Sequence, residues 1–225
     1  MKWRYFAGIA AVLLGASAFA GLINQGLSAE EAQQIKRFAI VSGLGDVIHG
    51  RLFGLTRFQS KNFDMAVPGW GLDAMVAKAL KERIVAGAKI SGEVAVLSIP
   101  PSKKSAILSE AQAQGFDAVL VVIAEPSVPD PALIGGVMLV REKRLGVDRI
   151  YPCAGIVMRV WRVSDGKQIG FTTPKPCGLN LRSPVWHDRW DEFSDEEKQS
   201  ALTSLQDFLI ERMNSSLIQL KLSGK

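Results

Sequence analysis

The chain has 225 residues, of which 48% are hydrophobic and 22% charged, and its formal net charge is +5. This length and ordinary globular composition allow one well-buried core, so a single domain is the default and a disordered chain is excluded. The positive charge is small and spread along the sequence, which predicts no nucleic-acid partner.

The first 20 residues predict an export signal. Lys2 and Arg4 precede an apolar stretch rich in Ala and Gly, and this stretch ends in small residues at Ala18 and Ala20. The apolar run over 6–23 has 18 residues, which falls within the roughly 17 to 25 that span a bilayer, so an uncleaved anchor is the alternative. Either way we expect the bulk of the chain to be periplasmic or secreted, or held at the inner membrane by this segment.

Residues 21–36 are interpreted as a polar linker, and residues 37–225 as a single α/β domain. The first core strand is predicted at Phe38 to Ser42. The glycines that follow predict a turn over Gly43 to Gly50, and the region up to Pro68 is interpreted as a loop with at most one short strand. The spacing of Gly43, Gly45 and Gly50 does not match the G-x-G-x-x-G of a dinucleotide site, so no cofactor is expected.

Alternating strand and helix patterns follow. Residues 71–85 place apolar side chains at helical spacing, and EVAVLSIPP (93–101) predicts a strand closed by two prolines. SKKSAILSEAQAQ (102–114) predicts a helix ended by Gly115, and the continuous apolar run in DAVLVVIAE (117–125) predicts a strand buried on both sides.

Two cysteines in an exported chain indicate a disulfide, and the spacing supports one. The segment around Ser164-Asp165-Gly166 predicts a β-hairpin. If the loop has three residues, directly opposed positions have numbers that sum to 330, which places Cys153 opposite Cys177. A two-residue loop would shift the register by one and lose this match.

Ser194 and Glu197 form a capping box that begins a long C-terminal helix. The order of elements predicts a mixed α/β sandwich of two or three layers. Its core strands are parallel, and a C-terminal antiparallel hairpin and the long helix complete it.

Two short motifs carry a resemblance to known proteins. AQAQGFDAVLVV (111–122) and AGIVMRVWRVSDGKQIG (154–170) resemble the fold of three envelope proteins: the curli-secretion lipoprotein, the N-terminal domain of the Tol-Pal translocation protein, and the lipoprotein activators of penicillin-binding proteins. The resemblance implies a non-enzymatic domain that binds another envelope protein. This chain departs from that group by lacking a lipid-accepting Cys and by having the Cys153/Cys177 pair and an insertion over 126–149.

The insertion over 126–149 is the first candidate interaction site. It combines an apolar patch from Leu133 to Val140 with the basic residues Arg141, Lys143 and Arg144. One interpretation is a contact with a partner protein or a membrane surface. The alternative is an extra hairpin that packs on the domain itself.

The segment VWHDRWDEF (185–193) is the second candidate, because Trp186 and Trp190 could anchor a partner. Alternatively, both tryptophans pack over the sheet. Its His187 and acidic residues could also hold a divalent cation, but the sequence has only two histidines, and no metal site is predicted. No catalytic motif is recognised. The competing hypothesis is a small periplasmic hydrolase or metal-dependent enzyme that uses His49 or His187.

Overall fold

The computed structural model describes residues 24–54, 60–99, 103–125, 134–144, 146–178, 186–187 and 189–224. The helices are α1 (Ala29–Gln34), α2 (Leu72–Gly87), α3 (Lys104–Ala113) and α4 (Asp195–Gln219), with a short 3-10 helix at Trp190–Glu192. The strands are β1 (Arg37–Gly43), β2 (Val47–Phe53), β3 (Lys61–Ala66), β4 (Glu93–Val96), β5 (Ala118–Ala124), β6 (Gly136–Arg144), β7 (Val147–Arg162) and β8 (Gln168–Thr172). These strands form one mixed sheet, which confirms the predicted fold class.

The longest strand, β7, has 16 residues and joins the two halves of the sheet. β6 pairs antiparallel with β7 as far as Gly155, and β5 pairs antiparallel with β7 from Ile156 onward. Because these two residues are consecutive, β5 and β6 lie end to end along one edge of β7. β8 pairs with the opposite edge. The hairpin over 136–155 therefore belongs to the sheet, as the second interpretation of the insertion predicted.

Strands β1 and β2 follow the same plan. β1 runs parallel to β5 and β2 runs parallel to β6, with only residues 44–46 between them. The predicted turn over Gly43 to Gly50 is therefore wrong, and so is the predicted loop up to Pro68, which contains both β2 and β3. The sequence did not predict β2 because a glycine in the middle of a strand weakens the strand pattern. In the fold, the ring of Phe63, which is directly opposite Gly50 on β3, occupies the space that a side chain at Gly50 would fill.

The short joint between β1 and β2 is held by α2. The carboxylate of Asp73, in the first turn of this helix, accepts hydrogen bonds from Ser42 Oγ (2.6 Å), the Leu44 amide (2.7 Å) and the Gly45 amide (3.2 Å). In return Asp46 Oδ1 accepts one from the Leu72 amide at the start of α2 (3.3 Å). These bonds satisfy backbone groups that no strand partner reaches.

Helices cover both faces of the sheet. One face packs against α2 and α4 and contains the larger core, whose largest fully buried side chains include Phe38, Ile40 and Leu120. On the other face α3 covers a smaller cluster around Val41, Val119 and Trp161. This half of the sheet is therefore a three-layer sandwich. None of the helices in the described ranges is long and apolar enough to cross a membrane.

The segment predicted as a polar linker contributes to the domain from residue 24 onward. Gln25 exchanges two backbone hydrogen bonds with Phe171 of β8 (2.7 and 2.8 Å). Leu27 and Ile35 are buried, and the helix between them begins with a capping box at Ser28. The linker interpretation is wrong because the segment looks polar only through the charged and amide side chains of α1. Leu27 and Ile35, on either side of this helix, attach the segment to the core.

We expect Asp73→Ala to lower the free energy of unfolding by about 2 kcal/mol, because it leaves the part-buried amides of the joint without their acceptor. Glu82→Ala is the matched control: Glu82 is an exposed acid on the same helix, and a change there is expected to stay within about 0.5 kcal/mol. Urea unfolding measures both. Equal midpoints for the two variants would contradict the role assigned to Asp73.

Candidate interaction surfaces

The disulfide predicted from the hairpin register is present. Cys153 and Cys177 are directly opposed on neighbouring backbone segments, with a Cα–Cα distance of 4.1 Å, and their sulfurs are bonded. In most of the β7–β8 pairing, the numbers of directly opposed residues sum to 330 as predicted; Met158, for example, lies opposite Thr172. The bond closes the open end of this hairpin.

The predicted three-residue loop of the same hairpin is wrong in detail. The Arg162 amide donates to the Lys167 carbonyl (2.9 Å), so the loop has four residues, and a bulge between Val160 and Trp161 restores the register farther along. Val163 leaves the ladder because its side chain is buried on the α3 side of the sheet, and its amide donates to the Asp117 carbonyl (2.8 Å).

The disulfide lies in a small third cluster of buried residues. Cys153 packs with Met138 and Val140, which are both at most 1% exposed. Val140 is therefore not available at the surface, and its prediction as a partner-binding residue is wrong. Both faces of β6 are covered: Val137 and Leu139 belong to the larger core, and Val140 belongs to this third cluster. On the other side of the bond, Arg212 Nη2 of α4 donates to the Cys177 carbonyl (3.3 Å).

The remaining predicted residues of the insertion lie at the end of the β6–β7 hairpin. We call Glu142, Lys143, Asp148, Arg149 and Tyr151 the hairpin tip. Its last two backbone pairs, beginning with Lys143 opposite Asp148, extend beyond the end of β2. Leu133 lies outside the described residues, as does the side chain of Arg144.

Two ion pairs cross the hairpin near its tip. Arg141 donates two hydrogen bonds to Asp148 (2.8 and 2.7 Å), and this lowers the pKa of the Asp148 carboxyl. Arg149 donates to Glu142 (2.6 Å), which raises the pKa of Arg149, and its guanidinium lies 5.4 Å from the centre of the Tyr151 ring. Lys143 is exposed. Both crossing pairs are seven residues apart in sequence, a signal that could have identified the hairpin.

Trp186 and Trp190 are only partly exposed. The Trp186 ring packs edge-on against Phe63 of β3, with ring centres 5.4 Å apart, and the Trp190 ring lies 5.2 Å from that of Phe193. Both tryptophans pack against the larger core cluster. Much of their surface is therefore used within the domain, in agreement with the alternative in which they pack over the sheet.

The two histidines have different neighbours. His49 Nδ1 lies 2.6 Å from Asp64 Oδ1 on the neighbouring strand, while the other edge of its ring fills the space beside Gly136. His187 lies 3.5 Å from Glu197 and packs on Phe193. Within the part of the chain that the structure describes, no group of three or more His, Cys, Asp or Glu side chains could hold a metal ion.

Several solved structures are similar to this chain at low sequence identity. No family model and no curated protein matches the chain. A PelC dodecamer from Paraburkholderia phytofirmans is similar over 90% of this chain and 96% of that one, with 12% identity and a TM-score of 0.40. Protein XCC0632 from Xanthomonas campestris, of the DUF330 family model, is similar over 84% of each chain, with 9% identity and a TM-score of 0.42.

A third similar structure is the LpoB C-terminal domain from Salmonella enterica. It matches 67% of this chain and 82% of that one, with 10% identity and a TM-score of 0.26. These identities and TM-scores describe a partial likeness in the arrangement of helices and strands. They identify neither a family nor an activity.

We expect reduction of the Cys153–Cys177 bond to lower the free energy of unfolding by about 3 kcal/mol, because it releases the constraint on a loop of this length in the unfolded chain. Urea unfolding with and without reductant measures the loss. The Cys153→Ala plus Cys177→Ala variant is the control and should not respond to reductant. An unchanged midpoint in fully reduced wild-type protein would contradict the expectation.

The capping box of α4 predicts a pH dependence. The Ser194 amide donates to Glu197 (2.7 Å), and this bond first, then the Ser194 hydroxyl and nearby His187, hold the pKa of Glu197 below its ordinary value of 4.5. A carboxyl with a lowered pKa stabilises the fold above its unfolded pKa, and the contribution is lost as the pH falls through the folded pKa.

We therefore expect Glu197→Gln to lower the urea midpoint near neutral pH, and the difference from wild type to vanish as the pH falls through the lowered pKa of Glu197. Glu196→Gln is the control, because Glu196 lies in the same turn and has no capping hydrogen bond. Equal pH profiles for the two variants would show that the charge of the helix end, rather than the cap, produces the effect.

Proposed function

We propose that the chain is an exported, non-catalytic domain that binds another cell-envelope protein through the hairpin tip. Export is supported by the N-terminal pattern of charge, apolar run and small residues, and by a disulfide, which persists in oxidising compartments. The resemblance of two sequence motifs to envelope adaptor proteins points to the same setting. If the apolar run is not cleaved, it holds the domain at the inner membrane.

The observation that carries the choice of surface is the extension of the β6–β7 hairpin beyond its neighbours. β2 accompanies β6 only as far as Phe53 opposite Glu142, whereas the hairpin continues for two more pairs. Two ion pairs, Arg141–Asp148 and Arg149–Glu142, cross the hairpin at the point where it extends past β2. These pairs hold the two strands in one geometry before any partner arrives, which reduces the entropy lost on binding.

The tip also has the chemistry of a binding surface. Arg149 is about half exposed (49% of its side chain) and lies beside Tyr151, and these two residue types are enriched at protein interfaces. Lys143 adds a positive charge that has no ion pair within the described residues. The half-buried Trp186 and Trp190 belong to a separate aromatic cluster, and we propose them as a secondary contact only.

Site-specific photo-crosslinking in the native host tests the proposal. A benzophenone amino acid placed at Lys143 should form an adduct with one envelope protein, identified by mass spectrometry. The matched control is the same probe at Lys175, an exposed lysine close to the disulfide and away from the tip. No adduct from position 143, or the same adducts from both positions, would contradict the proposed surface.

A second variant tests affinity once that partner is known. Lys143→Glu combined with Arg149→Gln should weaken binding at least tenfold, since it removes two positive charges and the group beside Tyr151. Thermal unfolding should remain close to wild type because neither residue is buried. Wild-type affinity in this variant would exclude the tip as the interface.

A further inference from the structure

Strand β4 (Glu93–Val96) ends the sheet on one side, and no strand among the described residues pairs with its outer edge. On its inner side β4 runs parallel to β1. This pairing continues for one more residue, because the Leu97 amide donates to the Ile40 carbonyl (2.9 Å). The five residues 93–97 therefore form an extended border of the domain.

The backbone groups of this border alternate between β1 and the outside. The amides of Glu93 and Leu97 donate to carbonyls on the β1 side (2.8 and 2.9 Å). Because successive residues of a strand direct their N–H and C=O groups to opposite sides, those of Val94 and Val96 point away from the sheet. An outer edge of this kind is a template for pairing with another strand.

The side chains of the border do not prevent such pairing. Soluble proteins usually protect an outer strand with lysines, prolines or a bulge. The charged side chain within 93–97 is Glu93, and its carboxylate is paired with Arg37 of β1 (2.9 Å). Val96 is 39% exposed, which is unusual for a large apolar side chain in this domain.

The other outer strands differ from β4. On β3, at the opposite end of the sheet, Lys61 and Asp64 are exposed charged residues. The outer side of β8 is paired at Phe171, which exchanges backbone hydrogen bonds with Gln25. β4 has neither the charges of β3 nor the pairing of β8.

The two faces of β4 set the side chains that a pairing strand meets. Val94 belongs to the larger core, and Val96 lies on the same face of the strand by alternation. Ala95 and Leu97 pack in the smaller cluster on the α3 side. The sequence Glu-Val-Ala-Val-Leu is thus nearly symmetric about Ala95, with one valine on each side of it.

We propose that two copies of this chain pair antiparallel through β4, with a two-fold axis at Ala95. In this register Val94 of each copy lies opposite Val96 of the other, and the two residues exchange both of their outward backbone hydrogen bonds. The side chain of Val96 then contacts that of the opposed Val94 and loses much of its exposure. Glu93 keeps its partner Arg37, so no charge is left unpaired by the contact.

The near-symmetry about Ala95 is the reason for choosing a second copy over the strand of an unrelated protein. A two-fold axis requires one surface to be complementary to itself. Strands approach most closely at a pair without mutual hydrogen bonds, where the Cα atoms are about 4.5 Å apart, and the small side chain of Ala95 occupies that position.

The border is short for an interface. Stable interfaces bury roughly 1,200 Å² or more, so we expect a dimer that forms and dissociates with protein concentration. The dimer requires neither the export of the chain nor the partner at the hairpin tip. The proposals therefore fail separately.

Cysteine cross-linking of the purified full chain tests the register. Both native cysteines are bonded to each other, so Ala95→Cys supplies a single free thiol per chain, and the axis brings two of these thiols within disulfide reach. Mild oxidation should convert most of this variant into a covalent dimer. Ala106→Cys, at an exposed alanine of α3, is the matched control and should remain monomeric. No dimer from Ala95→Cys, or equal yields from both variants, would overturn the proposal.

Sedimentation velocity gives the second measurement. The wild type should shift toward the dimer as its concentration rises through the micromolar range, and Val96→Lys should weaken association about tenfold, because the axis places the change in two cross-strand pairs. Val85→Lys is the control, since Val85 is an exposed valine (56%) outside the border. A wild type that stays monomeric, or equal dissociation constants for the two variants, would contradict the dimer. Thermal unfolding of both variants checks the fold, and the cross-linking result stands apart from it.

The strand of another protein is the alternative occupant of this edge. Ala95→Cys produced in the native host should give a disulfide-linked dimer of the chain on a non-reducing gel, with its composition established by mass spectrometry. A mixed disulfide with another protein in place of that dimer would overturn the assignment to a second copy.

Discussion

Antiparallel hydrogen bonding to β7 is the interaction on which the rest of the structure depends. Along one edge this strand first carries β6 and then β5, and along the other it carries β8 and the segment that contains Cys177. β1 and β2 can lie end to end only because β5 and β6 already do so. On the face covered by α2 and α4 the core is continuous across the joint, whereas the other face carries two separate clusters of buried residues.

Where β1 ends and β2 begins, and where β5 ends and β6 begins, backbone groups lose their strand partners. Neighbouring elements supply replacement contacts at both joints. Asp73 supplies the acceptor for backbone amides at the joint between β1 and β2. At the corresponding place between β5 and β6, Gly136 has a φ of 106° and leaves space for the ring of His49. The ring of His49 therefore has a packing role at this joint, and its contact with Asp64 holds the ring in place.

The hairpin tip combines two ion pairs with the neighbouring ring of Tyr151, where β6 and β7 extend past the end of β2. A surface whose geometry is fixed before binding suits the protein partner that we propose for it.

Local signals in the sequence predicted the elements that form by local rules. The capping box at Ser194 begins α4, the apolar run before Glu125 is the doubly buried β5, and the hairpin register paired Cys153 with Cys177. These predictions succeeded because a helix cap or a two-strand register depends on residues close together along the chain. The loop of the hairpin was misjudged because the burial of Val163 overrode local turn preference.

The sequence by itself determined the α/β class, the disulfide and the long final helix. Only the tertiary structure decided that β2 is a strand, that Val140 is buried, and that residues 24–36 belong to the domain. The physical reason is that these features depend on residues far apart along the chain. A glycine such as Gly50 weakens the local pattern of a strand, and the ring of Phe63 that replaces its missing side chain comes from another strand.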